Sequence, residues 1–163
     1  MTTPDDPRDD DASPEAAAAA ADHAVASAND PATIDRLLTE PARWAVVGLS
    51  TNTARAAHGV AAYLKTLGHE IVPVHPHAES VHGAPGYPSL ADVPEPVDVV
   101  DVFVNSSRAG AVIDDAIAIG ARAVWLQLGV RDPAAEDRAQ AAGLLVVADA
   151  CPKIEGARRG LRP

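Results

Sequence analysis

At 163 residues the chain is long enough for one domain with a proper core and short for two. Hydrophobic residues make up 47% of it and aromatics only 3%, so the core must be built from Val, Leu, Ile and Ala, the composition of a buried parallel sheet flanked by helices. The formal charge of −10 is concentrated in residues 1–40, where ten acidic residues face only Arg8 and Arg36; an acidic chain without an internal Lys/Arg cluster is a poor ligand for nucleic acid or anionic lipid.

Residues 1–29 are rich in Asp, Pro and Ala and hold almost no large apolar side chain, which predicts a disordered or loosely helical acidic tail. They lack the cationic start of a secretory signal, and no stretch of the chain reads as a membrane span, so a cytoplasmic protein is expected. The domain begins at residue 30. Asp30 as an N-cap and Pro31 in the first helical position open a short helix whose Ile34, Leu37 and Leu38 share a face.

From there strands and helices alternate. Trp44 to Leu49 reads as a buried first strand ending in a turn. Val60, Tyr63, Leu64 and Leu67 follow at helical spacing and stop at Gly68. Ile71 to Val74 is a second strand, and the proline-broken stretch 75–97 has room for no more than a helical turn near Leu90. Val97 to Val104 is a third strand, followed by a helix carrying Val112, Ile113, Ala116 and Ile117. Ala123 to Leu128 is a fourth, with Trp125 in the core, followed by a helix from Pro133 to Ala142; Leu144 to Val147 is a fifth. The alternation predicts an α/β, Rossmann-like three-layer domain over residues 30–156, with a five-stranded parallel sheet most simply ordered 3-2-1-4-5 and a solvated tail at 157–163 that carries Arg158, Arg159 and Arg162.

In such a sheet, ligands bind beyond the carboxyl ends of the strands where the order reverses, which the expected order places between strands 1 and 4. The loop after strand 1 runs Gly48-Leu49-Ser50-Thr51-Asn52-Thr53-Ala54-Arg55 into a helix. Helix-start N–H groups, three hydroxyls and a guanidinium suit a phosphate or diphosphate; a capped helix start with a solvent-facing Arg55 fits the same residues. Ser50 and Thr53 stand where a dinucleotide fingerprint has its second and third glycines, and His75-Pro76 stands where a nicotinamide site places an acidic residue, so an NAD(P)-dependent oxidoreductase is disfavoured. His75, His77 and His82 read as loop histidines with no metal, and Cys151, the single cysteine, as an inert, partly buried thiol.

Gly48-Leu49-Ser50, Arg55, Tyr63-Leu64, Val72-Pro73-Val74-His75-Pro76 and Tyr87-Pro88-Ser89-Leu90 resemble, in that order, the small bacterial and archaeal CoA-binding proteins. Val102-Phe103, Gly120-Ala121, the run Trp125 to Val130, Ala142-Gly143-Leu144 and Cys151 continue the resemblance over residues 43 to about 156. These proteins are similar to the nucleotide-binding domain of the succinyl-CoA synthetase α subunit. The resemblance implies coenzyme A or an acyl-CoA as ligand, with a site formed by Gly48, Leu49, Ser50, Thr51, Thr53 and Arg55, by His75 and Pro76, by Val104 and Asn105, and by Gln127 and Gly129. It implies no catalytic residue and leaves room for a homo-oligomer or an acyl-CoA ligase partner. Family members commonly carry Arg at the position of Val104 and Asn at that of His75; Arg108 is a nearby cation that the sequence does not place.

Overall fold

The computed structural model describes residues 28–162, so the expected tail falls outside the described residues except at its end. Helix α1 (Pro31–Thr39) leads into β1 (Arg43–Val47), α2 (Ala56–Thr66) and β2 (Glu70–Val74). A single 3-10 turn (Leu90–Asp92) then precedes β3 (Val99–Val102), α3 (Ser106–Ala118), β4 (Ala123–Leu126), α4 (Pro133–Ala141), β5 (Leu145–Val147) and α5 (Pro152–Arg158). None of the described helices is long and apolar enough to cross a membrane.

The five strands form one parallel sheet, but in the order β2-β1-β3-β4-β5, which corrects the expected order. The third strand does not extend the sheet beyond the second; it inserts between the first and the fourth, pairing Val46 with Asp101 and Asp101 with Trp125. The physical reason lies in the two strands that change places. All four residues of β3 are buried, as an interior strand requires. β2 contains Pro73, which has no N–H to donate and is tolerated at a sheet edge. The outer side of that edge is partly covered by Tyr87, whose N–H donates to the Pro73 carbonyl at 3.0 Å and whose carbonyl accepts from His75 N at 3.0 Å.

Two apolar layers sandwich the sheet. Ala109, Ile113 and Ala116 of α3, with Ala135 and Ala139 of α4, cover one face. The other face receives Ile34, Leu37 and Leu38 of α1 and Val60, Ala61 and Leu64 of α2, around Trp44 and Trp125. Burying each Val, Leu or Ile side chain among these contributes about 1.5–3 kcal/mol before entropy is counted, and each Ala about half of that or less. The Asp30 carboxylate caps no backbone N–H of α1 and accepts instead from the Thr33 hydroxyl at 3.3 Å.

Both chain ends hold more order than the sequence suggests. Asn29, counted with the tail, donates from Nδ2 to the Ala148 carbonyl at 2.8 Å and accepts from Ala148 N at 2.7 Å, while its own N–H donates to Val146 O at 3.2 Å. One amide side chain thus pairs with the open edge of β5 as a strand would. At the other end α5 carries Arg158, and Leu161 packs on the α1/α2 layer while its carbonyl accepts from the Tyr63 hydroxyl at 2.9 Å. Arg159 is partly buried and paired with Asp35 and Glu155, whereas Arg158, also paired with Glu155, stays exposed.

Candidate functional site

With β3 next to β1, the strand order reverses between these two strands, not between strands 1 and 4. A cavity of about 720 Å³, a size suited to a cofactor, opens there above the carboxyl ends of β1, β2 and β3.

Gly48 turns the chain off β1. Its φ is +102°, and a Cβ at this position would lie 3.0 Å from the Phe103 carbonyl oxygen and 3.2 Å from Phe103 Cβ, so both conformation and space require glycine. Its N–H donates to Val74 O at 2.8 Å, which ties the ends of β1 and β2 together. The loop then descends through local turns: Asn52 N donates to Ser50 Oγ at 3.2 Å, and Ala54 N to Asn52 Oδ1 at 3.0 Å. Arg55 is the N-cap of α2, and its side chain caps nothing. Asn105 stands likewise at the start of α3; its Oδ1 accepts from the Ser107 hydroxyl at 2.6 Å and leaves the backbone N–H groups of that helix uncapped by a side chain. Two uncapped helix starts, from α2 and α3, therefore meet at one cavity, and their dipoles favour negative charge.

Of the residues singled out from the sequence, Gly48, Ser50, Arg55, His75, Pro76, Val104 and Asn105 line the cavity. Leu49 is fully buried in the core beneath it. Thr51 and Thr53 are exposed on the loop and do not line it. Gln127 and Gly129 lie one strand further along, because β3 separates β4 from the crevice. Gln127 is buried and donates from Nε2 to Asp101 Oδ1 at 2.6 Å, and Gly129 N donates to Asp149 Oδ1 at 2.7 Å.

Asn52 of the same loop lines it too, and the lining also contains residues that sequence reasoning did not assign to the site, chiefly Pro88, Ser89, Leu90, Val112 and Asp115. Arg108, in the first turn of α3, joins them and Arg55 in the lining, and neither guanidinium forms an ion pair with another described residue. The signal for Arg108 was Pro73: an edge position for strand 2 brings the helix after strand 3 to the switch point. Pro88, Leu90, Val104 and Val112 give the cavity an apolar stretch.

The titratable groups around the cavity divide by environment. The Glu79 carboxyl is held below the usual carboxylate range, first by the Thr51 N–H it accepts at 3.1 Å, then by the Thr51 hydroxyl at 3.2 Å, with a smaller contribution from His75 and His77. His75 and His77 approach with ring centres 5.2 Å apart, whereas His82 turns away to His58, its Nε2 lying 2.8 Å from the His58 carbonyl oxygen. The three histidines do not converge. Cys151 is half-buried at the start of α5 and is not among the residues that line the cavity.

Comparison with known proteins bears on the family and the fold. The family model described as CoA binding domain matches residues 42–157. The uncharacterized protein YneT of Bacillus subtilis is 32% identical over 123 residues, covering 76% of this chain and 91% of its own. A hypothetical protein of Pyrococcus horikoshii superposes with a TM-score of 0.76 at 34% identity, over 82% of this chain and 94% of its own. The dinucleotide-forming acetyl-coenzyme A synthetase 1 of Ca. Korarchaeum cryptofilum shares the fold at a TM-score of 0.58 and 26% identity, over 68% of this chain and 26% of the synthetase.

Proposed function

The chain belongs to the CoA-binding domain family, and on that premise we propose that it binds coenzyme A or an acyl-CoA in the cavity between β1 and β3, without a reaction of its own. The observation that carries this reading is the pair Arg55 and Arg108, two guanidiniums that line one cavity at two helix starts and form no ion pair among the described residues. A ligand with a diphosphate and a further phosphate supplies the charge such a site attracts, and guanidinium binds phosphate oxygens in a two-point geometry. The ADP part lies at the loop 48–55, and the pantetheine arm follows Pro88, Leu90, Val104 and Val112. Val104 thereby serves the apolar arm, and Arg108 supplies the cation.

Binding without catalysis is supported by how the cavity hydroxyls are engaged. Ser50 Oγ accepts from Asn52 N, and Ser89 Oγ donates to Asp92 Oδ2 at 2.7 Å, so neither is paired with a histidine base. Native mass spectrometry of gently purified protein tests the reading: a co-purified mass of CoA or an acyl-CoA supports it. Retention on a nicotinamide resin and not on a CoA resin would overturn it.

A second reading, an accessory subunit of an acyl-CoA ligase, is favoured by the likeness to one quarter of the Korarchaeum synthetase. In that case a separate chain supplies the remaining domains, and the protein purifies with a ligase subunit in fixed ratio.

A further inference from the structure

The loop that leads into α2 is exposed, yet its conformation decides which groups face the cavity. Among the described residues, segment 50–54 makes hydrogen bonds beyond itself and Arg55 at one place only: Thr51 donates from N and from Oγ1 to the same oxygen of Glu79, at 3.1 and 3.2 Å. Everything else in the segment is a local turn. Glu79 is itself fixed. It follows a tight turn in which Ala78 N donates to His75 O at 2.7 Å and Ala78 takes a left-handed φ of +49°. Gly86 then lies so close to the backbone of Ala78 and Glu79 that a side chain at 86 would collide with it. The connection after β2 thus holds Glu79, and Glu79 holds the β1–α2 loop.

We infer that Glu79 is a positioning residue for the ligand loop: by clamping Thr51 from outside the cavity it sets the conformation in which Ser50, Asn52 and Arg55 face inward. The inference rests on the CoA reading for its consequence and on the hydrogen bonds for the clamp. A carboxylate close to a phosphate site could instead compete with the ligand for a backbone N–H. The placement of Thr51 decides between the two, since Ser50 and Asn52 line the cavity and Thr51 between them does not. Glu79 therefore takes a donor that the ligand does not use. Ordering the loop in advance removes a cost that ligand binding would otherwise bear.

The test is a pair of variants in the full chain with two readouts. Glu79→Ala is expected to weaken CoA about fivefold to tenfold by titration calorimetry, less than the loss of a direct contact to the ligand, because the released loop still samples the clamped conformation. In the free protein the same variant is expected to speed amide hydrogen exchange across residues 50–54, with little change in Tm. Glu79→Gln keeps an oxygen that both Thr51 donors can reach, so it restores affinity to within about twofold of wild type and restores slow exchange. Gly86→Ala, which displaces the Glu79 backbone without touching the carboxylate, is expected to weaken CoA in the same direction. Unchanged exchange and affinity in Glu79→Ala would overturn the clamp, and tighter binding would show that Glu79 competes with the ligand. Wild-type protein that binds no CoA would overturn the CoA reading, while the exchange measurement would still decide whether the clamp exists.

Discussion

Gln127 Nε2 lies 2.6 Å from Asp101 Oδ1, and both side chains are buried where β3 and β4 run side by side. The other carboxyl oxygen, Asp101 Oδ2, has no hydrogen-bond partner among the described residues. Burial pushes the Asp101 carboxyl up to about 8, and the bond from Gln127 only partly opposes this. The group is a neutral acid inside the sheet.

A pH dependence of stability follows. Unfolded, Asp101 loses its proton near the ordinary aspartate value of about 3.9. Folded, it keeps the proton to about pH 8. Between these values the unfolded chain binds fewer protons, so stability falls as pH rises and levels off above about pH 8. Asp101→Asn is expected to abolish this slope and to melt at a higher temperature than wild type at pH 8.5. The difference between the two melting profiles isolates Asp101 from His69, whose neutral ring donates to Leu38 O and accepts from Ala42 N. Burial lowers the His69 pKa, so its contribution is lost on the acid side, as pH falls below about 6.5. Identical profiles for wild type and Asp101→Asn between pH 5 and 9 would contradict the buried neutral acid.

Asn29 closes the β5 edge with three hydrogen bonds and a left-handed backbone of φ +68°. Asn29→Ala loses two of the bonds and places Ala in a conformation it disfavours, and is expected to cost about 1–2 kcal/mol. Deleting residues 1–28 leaves Asn29 in place and should shift Tm by little. Equal melting of wild type and Asn29→Ala would show that the edge does not need its cover.

Gly48 is expected to tolerate no side chain. Gly48→Ala must force a Cβ against Phe103 at positive φ, and should cost on the order of 1–3 kcal/mol while displacing the loop that follows. Thermal melts and CoA titration read the two effects separately.

Arg55 distinguishes a phosphate site from a solvated helix start. Arg55→Ala is expected to weaken CoA about tenfold to a hundredfold, roughly 1.5–3 kcal/mol, with stability within about 0.5 kcal/mol of wild type. Arg55→Lys keeps the charge and loses the two-point geometry, so it should recover only part of the affinity.

The elements of this fold were legible because their signals are local. Buried apolar runs, Pro31 and Pro133 at helix starts and the proline-broken stretch before β3 all mark positions along the chain. Strand order is a choice among distant partners, and the simplest winding placed β3 at the wrong neighbour; Pro73, an edge residue, was the one local sign of the true order. The site inherits that difference. Gly48, Arg55 and His75 follow from the first two strands under either order, whereas Arg108 belongs to the crevice, and Gln127 leaves it, only when β3 adjoins β1. Helix α5 escaped notice because its seven residues offer almost no apolar face, only Pro152 at its start and Gly156 against Tyr63.

The most direct test of CoA binding in this cavity is titration calorimetry of CoA into the wild-type chain and into the Arg55→Ala, Arg108→Ala double variant, each at low and high salt. Binding through the two guanidiniums predicts measurable affinity for wild type that falls with added salt. It also predicts a loss of about a hundredfold or more in the double variant, with a shallower salt slope. No heat from wild type at millimolar CoA, or equal affinities and equal salt slopes for the two proteins, would contradict it.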